Sequence, residues 1–300
     1  MNVQQCYRLF VQQPRLRKMI LGNRAIRDIA WKFIAGEDLE AGIQAVRVLN
    51  SRGIQGTLNY VGQHVLIAEE ANARTNDTIE CAKRIAAERL NADISIKLTN
   101  LGLDISENLC CHNLEQIMAC ASSAGVFVWI DMEEHCYLTR TLRLCAEMRH
   151  RHGSKSIGGV AQSYLRLNNP LADLLREGWR VRIVKGGYWE PGNIVYRKQK
   201  EIDQAFGRDI EIALSEGKYT AVATHDSFFI ALVKWMAKTL SLSPTDFEFQ
   251  MLYGVREDLQ AQLVREGYMV RAYVPYGADW HSYVIGCARR AVPDTLGFRF

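Results

Sequence analysis

Eight short β-rich runs, separated by helix-like stretches, leave this 300-residue chain few folds to adopt. The runs are 56–60 (GTLNY), 93–98 (DISIKL), 126–131 (VFVWID), 159–164 (GVAQSY), 180–185 (RVRIVK), 220–224 (TAVAT), 247–251 (FEFQM) and 270–275 (VRAYVP). Helical patterns lie between them, for example 81–90, 114–123, 138–149 and 229–240. Successive runs start about 21 to 40 residues apart, room for a strand and a helical crossover. Parallel strands joined this way either close into a (β/α)8 barrel or form an open doubly wound sheet. A barrel takes about 250 residues. The chain therefore predicts an α/β fold: a (β/α)8 TIM-like barrel over residues 46–300, preceded by an N-terminal helical arm over 1–45. Only six prolines are scattered along it, and no Ser/Gly-rich linker divides it, so the barrel is expected to be one domain.

Composition narrows the function classes. With 48% hydrophobic and 23% charged residues, the chain can build a sizeable core, which excludes global disorder. Its apolar runs are far shorter than the roughly 18 residues of a membrane span. The first residues lack the long apolar segment of a secretory signal, so a cytoplasmic location is expected. The net charge of +4 comes from interleaved acids and bases, without the basic stripe that nucleic-acid binding needs. Eight cysteines include no CxxC pair. Only Cys110, Cys111 and His112 crowd together, and adjacent cysteines chelate one metal poorly. The cysteines read as reduced, small apolar residues, and no metal site is expected.

In a barrel the active site lies at the C-terminal strand ends. Those ends carry Lys97, Asp131, Gln162, Arg182 with Lys185, Thr224 with His225 and Asp226, Gln250, and Tyr273. Arg289 and Arg290 follow on the closing helix. Five cations outnumber two local acids, and buried cations are costly unless they meet anions. An anionic ligand is one solution; acids elsewhere in the chain are the other. Lys185-Gly186-Gly187 allows either a plain turn or a close backbone approach to a phosphate. His225 suits a base, a cofactor contact or a core histidine. In 131–135 (DMEEH), Glu133, Glu134 and His135 are expected to open a helix, where acids suit the N-terminal dipole. No GxGxxG, P-loop or GxSxG motif occurs, which argues against Rossmann, P-loop and serine-hydrolase chemistry.

These residues resemble the proline dehydrogenase family, in particular its short, monofunctional bacterial type. The resemblance covers residues 33–290. It rests on 33–43 (FIAGEDLEAGI), 95–106 (SIKLTNLGLDIS), 130–135 (IDMEEH), 161–166 (AQSYLR), 181–190 (VRIVKGGYWE), 223–226 (ATHD), 247–254 (FEFQMLYG) and 272–277 (AYVPYG), in the family's order. It implies FAD-dependent oxidation of L-proline to 1-pyrroline-5-carboxylate. Hydride would pass to flavin N5, and a quinone or other electron acceptor would reoxidise the flavin. Lys97 and the pair Arg289 and Arg290 would hold the substrate carboxylate, a task suited to arginine's fork. Asp131 would support Tyr273, which with Tyr188 would pack on the substrate ring. Gln162, Arg182, Lys185, Gly186, Trp189, Thr224 and His225 fall where the family contacts FAD, with Arg182 tuning the flavin. Relatives also suggest peripheral association with the inner membrane face.

The chain departs from the family at three places. A D-x-x-G-E context is replaced by Asn59-Tyr60-Val61-Gly62-Gln63. Gly286-Cys287 occupy the usual arginine slots, and Arg289-Arg290 come three residues later. That offset is nearly one helical turn, about 4.5 Å of rise, so the late pair would sit on nearly the same face. Pro293 then ends the closing helix early. A glutamate and its arginine partner are lost together, which strands no buried charge. The loss opens two alternatives: the same oxidation of a substituted proline or other cyclic amine, or a non-catalytic relative that binds flavin or an amino acid.

Overall fold

The computed structural model describes residues 30–62, 64–280 and 283. Every expected run contributes a strand: β1 (Gln55–Tyr60), β2 (Ala92–Ile96), β3 (Val128–Ile130), β4 (Ile157–Gln162), β5 (Arg180–Val184), β6 (Thr220–Ala223), β7 (Phe247–Leu252) and β8 (Val270–Tyr276). Each strand pairs in parallel with the next. β8 pairs in parallel with β1, Tyr273 opposite Thr57, which closes the sheet into a barrel and removes the open-sheet alternative.

Helices α1 (Leu39–Ser51), α2 (Ala68–Ala87), α3 (Glu107–Ser123), α4 (Leu138–His152), α5 (Leu171–Arg176), α6 (Gln199–Ser215), α7 (Ser227–Thr239) and α8 (Glu257–Arg265) surround it. α1 begins where Asp38 accepts the Ala41 N–H at 2.9 Å, a side-chain N-cap. Its Ile43, Val46 and Leu49 recur at helical spacing and are buried. α1 packs on β8 and β1 and runs through position 45. Residues 1–29 of the expected arm lie outside the described residues. No helix among the described residues is long and apolar enough to cross a membrane.

Strand alternation divides the side chains. Leu58, Ile94, Ile96, Val128 and Ile130 face outward into the helical layer and join the main apolar core. Complete burial of such a side chain is worth about 1.5–3 kcal/mol. The inward face is polar, unlike the branched aliphatic filling common in these barrels. Near the floor, Arg271 Nε lies 3.0 Å from both oxygens of Glu248. Arg271 Nη1 donates to the Gly56 carbonyl at 2.9 Å and meets Asp93 at 3.1 Å, while Nη2 donates to Gln55. Tyr219 donates to Glu248 at 2.8 Å, and Trp129 Nε1 donates to Asp93 at 3.1 Å. Glu248 is fully enclosed, and burial pushes its pKa up, but the Arg271 charge together with the hydrogen bonds from Arg271, Gln250 and Tyr219 holds its carboxyl below the ordinary range.

β2 ends at Ile96 and β3 at Ile130, so Lys97 and Asp131 are the first residues beyond their strands, at the mouth. β6 stops at Ala223, leaving Thr224, His225 and Asp226 to form the turn into α7. Asp226 caps α7 by accepting the Phe228 N–H at 3.0 Å.

Candidate active site

Asp131 is the hub of the mouth. One oxygen accepts Ser95 Oγ at 2.6 Å and Arg182 Nη1 at 2.8 Å. The other accepts the Tyr273 hydroxyl at 2.7 Å and faces Lys97 Nζ at 3.4 Å. Four strands thus converge on one carboxylate. Burial pushes its pKa up, but the charges of Lys97 and Arg182 and the Ser95 and Tyr273 hydroxyls bring it below the ordinary value. Asp131 is therefore an ionised acceptor. Burial and the Asp131 charge push Tyr273 well above the usual phenol range, so Tyr273 is a neutral donor.

Arg182 is 3% exposed, and its guanidinium lies between the Trp129 and Tyr273 rings, 4.7 and 5.6 Å from their centroids. Nη1 is satisfied by Asp131 and by Ser95 Oγ at 3.0 Å. Among the described residues, Nε and Nη2 are buried without a hydrogen-bond partner. Such donors cost about 1–3 kcal/mol each when left dry, so they call for an acceptor that the described residues do not supply.

The other expected site residues divide. Lys185 pairs with Asp203 at 2.7 Å and Asp226 at 3.5 Å. Asp203, on α6, supplies an acid that the count at the strand ends omitted, so Lys185 needs no ligand for neutrality. Gly186 has φ +95°, and a Cβ there would fall on the Tyr164 ring, so local packing alone demands glycine. Gln162 is buried and donates to the Glu133 carbonyl at 2.9 Å. Thr224 Oγ1 accepts the Asp226 N–H at 3.1 Å. His225 Nε2 accepts the Leu252 N–H at 2.7 Å. Burial, then the Arg256 charge, lowers its pKa to about 4, so the ring is neutral with its proton on Nδ1. Tyr188 is half-buried, whereas Trp189 is 74% exposed, with Arg197 stacked 5.6 Å from its ring. His225 and Asp226 line a groove of about 1420 Å³ that also includes Gly207, Phe229, Trp235 and Arg256. Arg289, Arg290, Gln63, Gly286 and Cys287 lie outside the described residues.

Three contributors escaped the sequence. Ser95 bridges Asp131 and Arg182, and strand alternation could have found it, because it sits two residues before Lys97 on the same face. Asp203 had no local signal. Glu133 does not open a helix: a single 3-10 turn (His135–Tyr137) precedes α4, and Glu133 turns inward. It accepts the Thr99 hydroxyl at 2.6 Å and the Thr99 N–H at 3.2 Å. Burial raises its pKa to about 7 against those bonds and the Lys97 charge. Asp131, Glu133 and His135 therefore go to separate partners, the last donating its N–H to Glu190 at 2.6 Å.

Residues 42–283 match the protein family described as proline dehydrogenase. The chain is 35% identical over 295 residues to proline dehydrogenase 2 of Bacillus subtilis, covering 97% of this chain and 96% of that protein. It is 36% identical over 289 residues to proline dehydrogenase of Deinococcus radiodurans, covering 94% and 93%. Among solved structures, proline utilization A (PutA) from Bdellovibrio bacteriovorus, inactivated by N-propargylglycine, superposes with a TM-score of 0.80 at 24% identity. That alignment covers 87% of this chain but only 32% of the larger protein, and it concerns the fold.

Proposed function

This chain belongs to the proline dehydrogenase family, and from that membership we propose that it oxidises L-proline to 1-pyrroline-5-carboxylate with bound FAD. The observation that carries this reading is Arg182, whose Nε and Nη2 are buried beside the Asp131–Tyr273 pair without a partner among the described residues. A flavin ring offers the acceptors that these two donors lack. Arg182, Gln162, Lys185, Gly186, Trp189, Thr224 and His225 would hold the cofactor, the last opening onto the large groove beside α7. When bound, the flavin supplies the two-electron acceptor for the hydride on the ring carbon next to nitrogen, and a quinone then reoxidises it.

The chain's own groups do the rest. Lys97 attracts the substrate carboxylate, and Arg289 with Arg290 would complete its recognition. Ionised Asp131 holds Lys97, Arg182 and Tyr273 in one arrangement, so their positions are set before substrate arrives. Tyr273 remains a phenol and offers its face to the pyrrolidine ring, aided by Tyr188. The substrate amine must be neutral, so that its lone pair forms the C=N bond as the hydride leaves.

A second reading has one observation in its favour. Asn59 Oδ1 and Thr57 Oγ1 are buried on β1 without partners among the described residues. A ring substituent bearing a hydroxyl would offer them a donor, which favours a substituted proline. Anaerobic titration of the purified protein distinguishes the readings through flavin absorbance. Bleaching by L-proline supports the first. Bleaching only by hydroxylated, methylated or larger-ring analogues supports the second. Protein that carries no yellow cofactor and takes up no FAD overturns both and leaves the non-catalytic relative.

A further inference from the structure

Three strand-to-helix connections meet at the rim above β1, β2 and β3. The segment after β1 carries His64, the segment before α3 carries Asp104, and the segment before α4 carries Glu134 and Tyr137. His64 Nδ1 lies 2.9 Å from Asp104 Oδ2, and its Nε2 lies 3.5 Å from Glu134 Oε1. Tyr137 donates to the other Asp104 oxygen at 2.6 Å, and its ring centroid is 5.9 Å from that of His64. Both ring nitrogens of His64 thus face carboxylates, and only the imidazolium has a proton for each.

The backbone makes this placement deliberate. His64 has φ +57°, in the left-handed region that non-glycine residues avoid. Such a conformation persists where surrounding contacts hold it, and here those contacts are the two acids. Elsewhere the loop is tied by backbone bonds at its ends, Val61 N–H to the Tyr276 carbonyl at 2.8 Å and Val65 N–H to the Thr99 carbonyl at 3.1 Å. Leu66 and Ile67 are exposed. Thr99 is two residues from Lys97, so the loop is seated beside the cation expected to bind substrate.

We infer that His64, as an imidazolium, is a positioning residue that pins the β1–α2 loop to the rim and thereby sets the affinity for the anionic substrate at Lys97. The inference rests on the mouth being the substrate site, as proposed above. The groups facing His64 are Asp104, Glu134 and Tyr137, with Glu133 acting through its charge. Arg140 stacks 5.1 Å from the Tyr137 ring in that cluster. Glu134 leads in raising the His64 pKa to about 9, opposed by burial and helped by Asp104. A raised pKa gives a contribution complete below the unperturbed value of about 6.5 and lost as pH rises through about 9.

The test compares wild type with His64→Gln and His64→Arg. One measurement is steady-state oxidation of L-proline between pH 7 and 10. The other is amide exchange of residues 61–67, corrected for intrinsic rates, in the full-length protein. For His64→Gln at pH 7.5 we expect KM about five-fold higher, kcat within two-fold, and exchange about five-fold faster, the scale of a partly exposed ion pair. The variant-to-wild-type ratio of KM should fall to one above about pH 9, and His64→Arg should keep the loop protected across the range. Unchanged exchange in His64→Gln overturns the pinning. Faster exchange with unchanged KM, or a ratio flat with pH, overturns the link to substrate. Failure of the wild type itself to oxidise proline overturns the proposed function instead, while the exchange data still decide the pinning.

Discussion

The floor and the mouth of this barrel are both built around arginine and carboxylate, yet they end differently. At the floor, Arg271 spends its donors on Glu248, Asp93, Gln55 and a backbone carbonyl. At the mouth, Arg182 binds Asp131 and Ser95 through one nitrogen, and its two other buried nitrogens have no partner among the described residues. A buried charge is tolerated when its hydrogen bonds are complete, and incomplete ones mark a place where something else is to bind. Two similar clusters in one barrel thus differ: one completes its own hydrogen bonds, and the other is where the proposed function seats a ligand.

Breaking the floor should give the largest effect. Glu248→Ala removes one of the two carboxylates facing Arg271 and leaves Arg271 Nε and two further donors, from Tyr219 and Gln250, without their acceptor. We expect a loss of about 3–5 kcal/mol in stability, read by denaturant unfolding. Any protein that remains folded should bind substrate with nearly unchanged affinity. Arg182→Met should do the reverse. kcat/KM for proline should fall about 10²–10³-fold, the scale of a lost electrostatic contact to a reacting centre. The thermal midpoint should stay within a few degrees, since unsatisfied donors leave together with the charge. A large fall in stability with little loss of activity would erase the distinction between the two clusters.

The smallest effect concerns the turn after β6. His225 is held neutral, with a folded pKa of about 4 against about 6.5 unfolded. The unfolded chain therefore binds the extra proton first. The stabilisation is complete above about pH 6.5 and is lost as pH falls through about 4. Thermal midpoints from pH 7 to 4 should decline in wild type and decline less in His225→Asn. Equal slopes would mean that the ring titrates normally.

The barrel was legible because its signals are local. Alternation and β-branched content marked all eight strands, and Lys97, Asp131, Arg182 and Tyr273 were singled out where the C-terminal ends should be. Their convergence on one carboxylate follows from closure, which brings β2, β3, β5 and β8 to the same mouth. The surroundings of other positions needed long-range information. Lys185 looked unbalanced because Asp203 is on α6. Glu133 looked like a helix start, yet it turns toward Thr99, 34 residues away in sequence. Trp189, expected at the cofactor, stands 74% exposed against Arg197.

The sequence by itself determined the periodicity, and with it the eightfold alternation and the residue types at each strand end. Side-chain direction alternates within a strand whatever the strand pairs with, so these features are written residue by residue. Only the tertiary structure decided which charges meet. Ion pairs depend on a few ångströms between segments that lie tens of residues apart, and no local pattern encodes that distance. Arg271 and Arg182 look equivalent in the sequence, each an inward arginine on a strand. Barrel closure gives one a full set of partners and leaves the other with two donors unpaired among the described residues.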